Sequence, residues 1–297
     1  MRAVGLLLLC LGLAAAGEQQ CSGAPALAAS SNYSAVFAPS RTSGGVFDDL
    51  LTRSASNRDF SVVHGASRAW VKMPGWHNTK LSYMMQPNKG ANFVMYLADM
   101  GPGSTVAGKS PITERFMLVL EGSIEIDVND REVLVGANEY AYLPPSSEEY
   151  MSQSATAKDG AKMLVFERIF GKAEGMPIFR KGAIADAPAK ESGPAGAGTS
   201  VARALLPDSD EWDLEVAVVD VRPGFPAAAL RAHYNNHGAV LLAGEGLYRL
   251  GDSWFPVQAG DAVWAAPYVP QWFGAMGAEP ARLVVYRDRN IDPLFVV

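Results

Sequence analysis

The stretch LLAGEGLYRLGD (241–252), followed by VQAGDAVWAAPYVPQWF (257–273), decides the fold, because it repeats an earlier part of the same chain. The earlier part is LVLEGSIEIDV (118–128), followed by VGANEYAYLPPSSEEY (135–150). In this alignment Gly122 matches Gly244 and Tyr142 matches Trp264, and each pair is 122 residues apart. Self-similarity at a constant offset indicates a duplicated structural unit.

Each copy has the sequence pattern of an all-β domain. Runs such as KMLVFERIF (162–170) and LEVAVVDV (214–221) are short and rich in aliphatic and aromatic residues. The 29 Gly and 19 Pro of the chain suit an architecture with many turns. Many short strands at regular spacing favour a sandwich or a barrel.

The repeat divides the chain into segments. We expect a first barrel over residues 59–170 and a second over 201–297. The stretch between them, 171–200, contains APAKESGPAGAGTS and has the composition of a linker. Residues 18–58, rich in Ser and Ala, form an N-terminal extension.

The chain begins with MRAVGLLLLCLGLAAAG (1–17), which has the features of a secretory signal peptide. A short N-terminal anchor is the alternative. Cleavage after Gly17 would leave Cys21 without a second cysteine to pair with. Asn32-Tyr33-Ser34 is an N-glycosylation acceptor motif. We therefore expect a mature protein without a membrane span, located in the endoplasmic reticulum lumen or secreted.

The charge of the chain argues against one class of partner. The formal net charge is −6, and no basic run is present. Nucleic-acid binding depends on clustered Lys and Arg, so we expect a small-molecule substrate and no nucleic acid.

The residues that could carry chemistry are concentrated around His233 and His237. On a straight strand these two positions would lie about 13 Å apart, too far to share an ion. A turn over residues 234–236 would let them face each other, and Asn-Asn followed by Gly238 is suited to a turn. A short helix would also bring them together. The pair could bind a metal ion, or it could be a hydrogen-bonded pair in the core.

The spacing of this region is similar to the two motifs of the cupin family. The first motif falls on Arg231, His233, His237 and Gly244, and the second runs from Gly260 to Gln271. In this frame a metal site would use His233, His237 and Gln271, with position 231 as the remaining place.

The resemblance becomes more specific over HYNNHGAVLLAGEGLYRLGDSWFPVQAGDAVWAAPYVPQWFGAMG (233–277), which is similar to the C-terminal cupin of (S)-ureidoglycine aminohydrolases. MPGWHNTK (73–80) and ANFVMYLADM (91–100) resemble the first half of that family, and the likeness covers roughly residues 60–297. The resemblance implies two tandem cupin barrels, a Mn²⁺ ion and hydrolysis of ureidoglycine in allantoin and purine breakdown. We also expect a homo-oligomer.

The resemblance also implies roles for single residues, and the sequence departs from the family at two of them. The family ligands are Glu, His, His and Gln, but Arg231 stands at the Glu place, and arginine cannot ligate a metal. Leu283 stands where the family has a tyrosine, and Arg287 where it has a lysine. We expect Tyr248 and Gln271 to act in catalysis and Gln271, Arg287 and Arg231 to bind substrate. A packed barrel tyrosine is the alternative for Tyr248.

Two functions stay open at this point. One is an aminohydrolase with an altered site. The other is a catalytically impaired or non-catalytic bicupin that binds a small carboxylate between Arg231 and Arg287. The first barrel is expected to hold no metal, because a shift of 122 residues places Lys109, Pro111, Arg115 and Glu149 at the four ligand positions.

Overall fold

The computed structural model describes residues 32–37, 53–106, 111–128, 130–145, 155–171, 175–192, 198–224 and 229–289. The predicted signal peptide (1–17), Cys21, Lys109 and Glu149 lie outside these ranges, as does most of the extension 18–58. In the part of the chain that is described, no helix is long and apolar enough to cross a membrane.

The described residues are organised almost wholly as β-strands, joined by turns and short 3₁₀ segments, which confirms the predicted all-β class. The strands are β1 (Ala55–Ser56), β2 (Phe60–Val63), β3 (Trp76–Met85), β4 (Val94–Val106), β5 (Thr113–Val128), β6 (Arg131–Gly136), β7 (Glu139–Leu143), β8 (Ala155–Ala157), β9 (Ala161–Ile169), β10 (Arg180–Ala183), β11 (Ala189–Ser192), β12 (Ser200–Ala204), β13 (Leu214–Val221), β14 (His237–Ala243), β15 (Glu245–Leu250), β16 (Ser253–Gln258), β17 (Ala262–Ala265), β18 (Gln271–Ala275) and β19 (Ala281–Asp288).

These strands form two barrel units. In the first unit the sheet order is β10-β7-β5-β8-β4-β3, with β6 paired to β5 and β9 paired to β4 and β5. In the second unit one sheet has the order β1-β2-β17-β14-β19-β13-β12-β11, and a smaller sheet has the order β16-β15-β18. All of the pairings are antiparallel.

The alternation of side chains along β13 shows how the two units share their apolar residues. Leu214, Val216 and Val218 face a buried cluster that also includes Phe116 and Phe166 of the first unit. The intervening residues of β13 face the interior of the second barrel, because successive side chains of a strand point to opposite faces. Two further clusters lie in the two barrel interiors. The barrels therefore pack face to face through a hydrophobic interface.

The repeat is visible in the backbone as well as in the sequence. Gly122 and Gly244 have φ angles of 74° and 76°. A Cβ at Gly122 would lie 2.3 Å from the carbonyl oxygen of Gly160, and one at Gly244 would lie 2.8 Å from that of Pro280. Only glycine meets both requirements without strain, so the same turn chemistry recurs in both barrels.

The strand pairing differs from the predicted segment boundaries in two places. β2 lies within the segment assigned to the first barrel, yet it pairs with β17 of the second. The predicted linker 171–200 contains β10, which pairs with β7 of the first barrel, and β11, which pairs with β12 of the second. The composition of 171–200 does not indicate β10 and β11, because these two strands lie at sheet edges and contain mostly Ala, Lys and other residues that are uncommon in buried strands.

Residues 32–37, which include the 3₁₀ segment Ser34–Phe37, contact both units. The Tyr33 hydroxyl donates to Oδ1 of Asn138 in the first unit and accepts from Arg282 in the second. Asn32, the predicted glycosylation acceptor, is exposed. The start of the described chain is therefore fixed in place by contacts with both units.

Candidate metal and substrate site

The two histidines approach each other because residues 234–236 form a bend between His233 and the start of β14. Asp288 holds this bend: its Oδ1 accepts from the backbone N–H of Asn236 at 2.8 Å, and its Oδ2 accepts from Nδ2 of Asn236 at 3.1 Å. The predicted turn is therefore present, and the helical alternative is wrong. The imidazole ring centroids are 5.6 Å apart.

Gln271 reaches the histidines from the opposite side of the site. It begins β18 and forms an isolated antiparallel bridge with Arg231, with backbone N–H to O=C distances of 3.0 and 2.8 Å. The backbone N–H of Tyr268 donates to the carbonyl oxygen of His233, which ties the preceding loop to the histidine segment. The Arg231–Gln271 bridge and the hydrogen bond from Tyr268 to His233 thus bring residues 233 and 271 together.

Four polar side chains form a continuous chain of contacts. Nε2 of His237 lies 3.1 Å from the Tyr248 hydroxyl, which donates to Oε1 of Gln271 at 3.2 Å. Nε2 of Gln271 lies 3.0 Å from Nε2 of His233. The structure therefore brings together all three predicted metal ligands, together with Tyr248.

The electrostatic setting favours the neutral form of both imidazoles. Burial, followed by the positive charge of Arg287, lowers the pKa of His233 below its ordinary value. The pKa of His237 is lowered further by burial, with smaller contributions from His233 and Arg287. Burial raises the pKa of Tyr248, so its hydroxyl stays protonated. Neutral imidazoles retain the lone pairs that a metal ion or a hydrogen bond requires.

These groups line one end of a cavity of about 630 Å³ inside the second barrel. Leu283, at the place of the family tyrosine, contributes to the apolar part of the wall. Arg231 also lines the cavity but is exposed, so its guanidinium lies at the mouth. Strand parity with His233 does not fix the direction of this side chain, because residues 232–236 are not in a strand.

Arg287 forms an ion pair that the sequence prediction missed. Its Nη2 donates to Oε1 of Glu215 at 2.5 Å. Glu215 lies on β13, directly opposite Arg287 on β19, and lines the same cavity. The alternation in LEVAVVDV places Glu215 on one face with Ala217 and Val219, which is a signal that could have marked it as an inward-facing acid.

The corresponding place in the first barrel is filled by side chains. Arg115, which matches His237 in the repeat, is buried and forms an ion pair with Glu167. Its guanidinium also lies over the ring of Trp76, 5.7 Å from the centroid. Pro111 is exposed. A buried cation at this position is incompatible with binding a metal ion there.

The donor atoms of the second barrel fit a divalent transition-metal ion. Two neutral imidazoles and an amide oxygen suit Mn, Fe, Zn, Cu or Ni. Within the described ranges no three His, Cys, Asp or Glu side chains cluster as metal ligands, because the third donor here is the amide of Gln271. The set has one carboxylate fewer than the resemblance implies, since Arg231 holds that place.

The Cupin domain family matches residues 217–286, which contain most of the second barrel. The "Probable (S)-ureidoglycine aminohydrolase" of Oryza sativa subsp. japonica is 39% identical over 82% of this chain and 77% of its own length. The (S)-ureidoglycine aminohydrolase of Arabidopsis thaliana is 36% identical over 82% of this chain and 80% of its own length. The crystal structure of the E. coli protein Ylba aligns with a TM-score of 0.70 at 21% identity, over 84% of this chain and 99% of that one.

Proposed function

Because this chain belongs to the (S)-ureidoglycine aminohydrolase family, we propose that its second barrel hydrolyses ureidoglycine to ureidoglycolate and ammonia. The observation that carries the proposal is the chain of contacts from His237 through Tyr248 and Gln271 to His233, which opens onto a cavity containing guanidinium groups. This reaction places the protein in purine and allantoin breakdown.

The reaction exchanges one bond at the α-carbon. The C–N bond to the amino group breaks, a C–O bond to a water oxygen forms, and the amino group leaves as ammonia. Tyr248 and Gln271 serve this exchange in two ways. The protonated hydroxyl can donate to the oxygen of the incoming water, and the amide oxygen can accept from the same water and so orient it, both roles requiring hydrogen-bond distance to the reacting atoms.

The substrate carboxylate has a natural partner in Arg287. A guanidinium binds a carboxylate through two parallel hydrogen bonds, which fixes its orientation as well as its position. Arg231, at the mouth of the cavity, attracts the same anion from solution and helps to retain it.

For the metal we propose Mn²⁺ held by His233, His237 and Gln271, in line with the family resemblance. When bound, the ion would supply Lewis-acid polarisation of the substrate and lower the pKa of a bound water. We also propose the secretory pathway as the location and a homo-oligomer as the assembly.

One observation favours a second function, which is binding of a small carboxylate without turnover. The family carboxylate ligand is replaced by the cation Arg231, so the charge at the metal site is less favourable for a divalent ion. In that case Arg231 and Arg287 would hold the anion in the same cavity.

Ammonia release from freshly generated ureidoglycine separates the two functions. The chain is purified, loaded with Mn²⁺ and assayed beside a sample without protein and a sample treated with a chelator. Hydrolysis predicts ammonia well above both controls. Ammonia at the level of the protein-free sample, together with calorimetric binding of glycolate, would instead support the carboxylate-binding function.

A further inference from the structure

A row of three charged or polar residues crosses the wall of the second barrel. His237 on β14 pairs with Arg287 on β19, and Arg287 pairs with Glu215 on β13. Residues directly opposite each other in neighbouring strands point to the same face of the sheet. All three side chains therefore project into the cavity, with Arg287 in the middle.

The ion pair in this row remains accessible from the cavity. The side chains of Arg287 and Glu215 are 36% and 26% exposed. The bond from Nη2 of Arg287 to Oε1 of Glu215 uses one of the five guanidinium N–H groups and one of several carboxylate lone pairs. Nε of Arg287 is buried and has no hydrogen-bond partner among the described residues. Because both side chains are partly exposed and keep unused donors or acceptors, each can bind a further group.

A second ion pair in the same cavity provides a contrast. Arg289 pairs with Asp208, whose side chain is 90% exposed. Arg289 is two residues after Arg287 and lies just past the end of β19, so this pair is outside the row. Glu215, in contrast, lies directly opposite Arg287 and in the same row as His237.

We propose that Arg287 and Glu215 together recognise the α-amino-carboxylate group of the substrate, with the carboxylate on Arg287 and the ammonium on Glu215. This inference rests on the proposed function and names the residue that distinguishes substrate from product. Ureidoglycine carries an amino group beside its carboxylate, whereas ureidoglycolate carries a hydroxyl there. An ammonium forms an ion pair as well as a hydrogen bond with a carboxylate, whereas an uncharged hydroxyl forms a hydrogen bond alone.

Glu215 would therefore favour substrate over product at the same site. With the product, Glu215 keeps Arg287 but faces an uncharged hydroxyl in place of the ammonium, so the product gains less binding free energy at this position. The consequence is that the product leaves without competing strongly with the next substrate molecule.

The test uses two stable ligands that differ only in the α-amino group, 2-amino-3-ureidopropionate and 3-ureidopropionate. Their affinities are measured by calorimetry on the full chain, so the result does not depend on turnover. The wild type should bind the amino compound roughly tenfold to hundredfold more tightly, the range expected of one charge-assisted hydrogen bond. Glu215→Gln should abolish this preference without weakening binding of 3-ureidopropionate.

Two further variants keep the result interpretable. Glu215→Asp keeps the charge on a shorter side chain and should retain part of the preference. Asp208→Asn changes the neighbouring ion pair and should leave the preference as it is in the wild type. The inference is overturned if the wild type shows no preference, or if Glu215→Gln weakens binding of both ligands equally. Absence of ammonia release from a protein that keeps the preference would count against the proposed function alone.

Discussion

Nε2 of His237 lies 3.1 Å from the hydroxyl oxygen of Tyr248. The same hydroxyl donates to Gln271, so one phenol links two of the three predicted metal ligands. Tyr248 is buried inside the barrel and packs against Phe273. It is thus both a core residue and part of the polar site, which combines the two interpretations of this residue that the sequence allowed.

Replacing Tyr248 with Phe tests the importance of this hydroxyl. We expect kcat for ammonia release to fall roughly 100-fold, the scale of a positioned proton donor. The free energy of unfolding should fall by only about 1 kcal/mol, because one buried hydroxyl is lost while the ring still packs. Tyr83→Phe, in the first barrel, is the control. An unchanged kcat in Tyr248→Phe would show that the hydroxyl serves packing alone.

Replacing Arg231 with Glu restores the family carboxylate. The guanidinium lies at the cavity mouth, and Nδ1 of His237 is buried without a hydrogen-bond partner among the described residues, so no hydrogen bond at Nδ1 orients this imidazole for a metal ion. We expect weak metal affinity in the natural chain and higher Mn²⁺ occupancy and ammonia release in Arg231→Glu. Metal analysis of both proteins checks this. Full occupancy in the natural chain, with no gain in the variant, would contradict it.

The barrel interface contains a buried acid whose titration should affect stability. Glu114 accepts from the Tyr142 hydroxyl at 2.6 Å, and burial together with nearby Asp213 raises its pKa well above the ordinary value of 4.5. The folded state therefore binds more protons than the unfolded state, so the stability from this group is present below about pH 4.5 and is lost as pH rises through the raised pKa. Glu114→Gln removes the ionisation.

We expect the Tm of Glu114→Gln to decline less than that of the wild type between about pH 5 and pH 8. Scanning calorimetry at several pH values measures the difference. Glu121→Gln is the control, because Glu121 is exposed and pairs with Lys162 at the surface. Parallel pH profiles for the wild type and Glu114→Gln would mean that the acid does not change protonation on unfolding.

Replacing Gly244 with Ala tests the turn that recurs in both barrels. The positive φ costs an L-residue about 1–2 kcal/mol, and the new Cβ would lie 2.8 Å from the Pro280 carbonyl oxygen. Gly251 also has a positive φ, of 58°, but a Cβ there meets nothing within 4 Å. Urea unfolding should therefore show a larger loss for Gly244→Ala than for Gly251→Ala. Equal losses would mean that the close approach carries no cost.

Much of the fold follows from the sequence because its signals are local. The repeat and the glycines at 122 and 244 predict two similar barrels, and turn chemistry at Asn235-Asn236 predicts the bend between the histidines. The resemblance to cupin motifs adds Gln271, which is 34 residues further along the chain than His237. The structure brings these side chains together in the second barrel.

Other features depend on long-range strand pairing, which no local pattern encodes. Glu215 meets Arg287 only because β13 and β19 pair in one register, and a shift by one residue would turn both side chains to the other face. The pairing of β2 with β17 crosses from one repeat to the other. The position of Arg231 at the cavity mouth follows from a segment without regular structure.

The most direct test of catalysis in the second barrel compares two histidine variants. His237→Ala removes an imidazole from the site, and His77→Ala removes an exposed imidazole from the first barrel. Initial rates of ammonia release from freshly generated ureidoglycine are measured for Mn²⁺-loaded wild type and both variants. We predict a loss of roughly 100-fold or more in His237→Ala, and the wild-type rate in His77→Ala. Wild-type rates in both variants, or equal losses in both, would contradict the assignment of the reaction to this site.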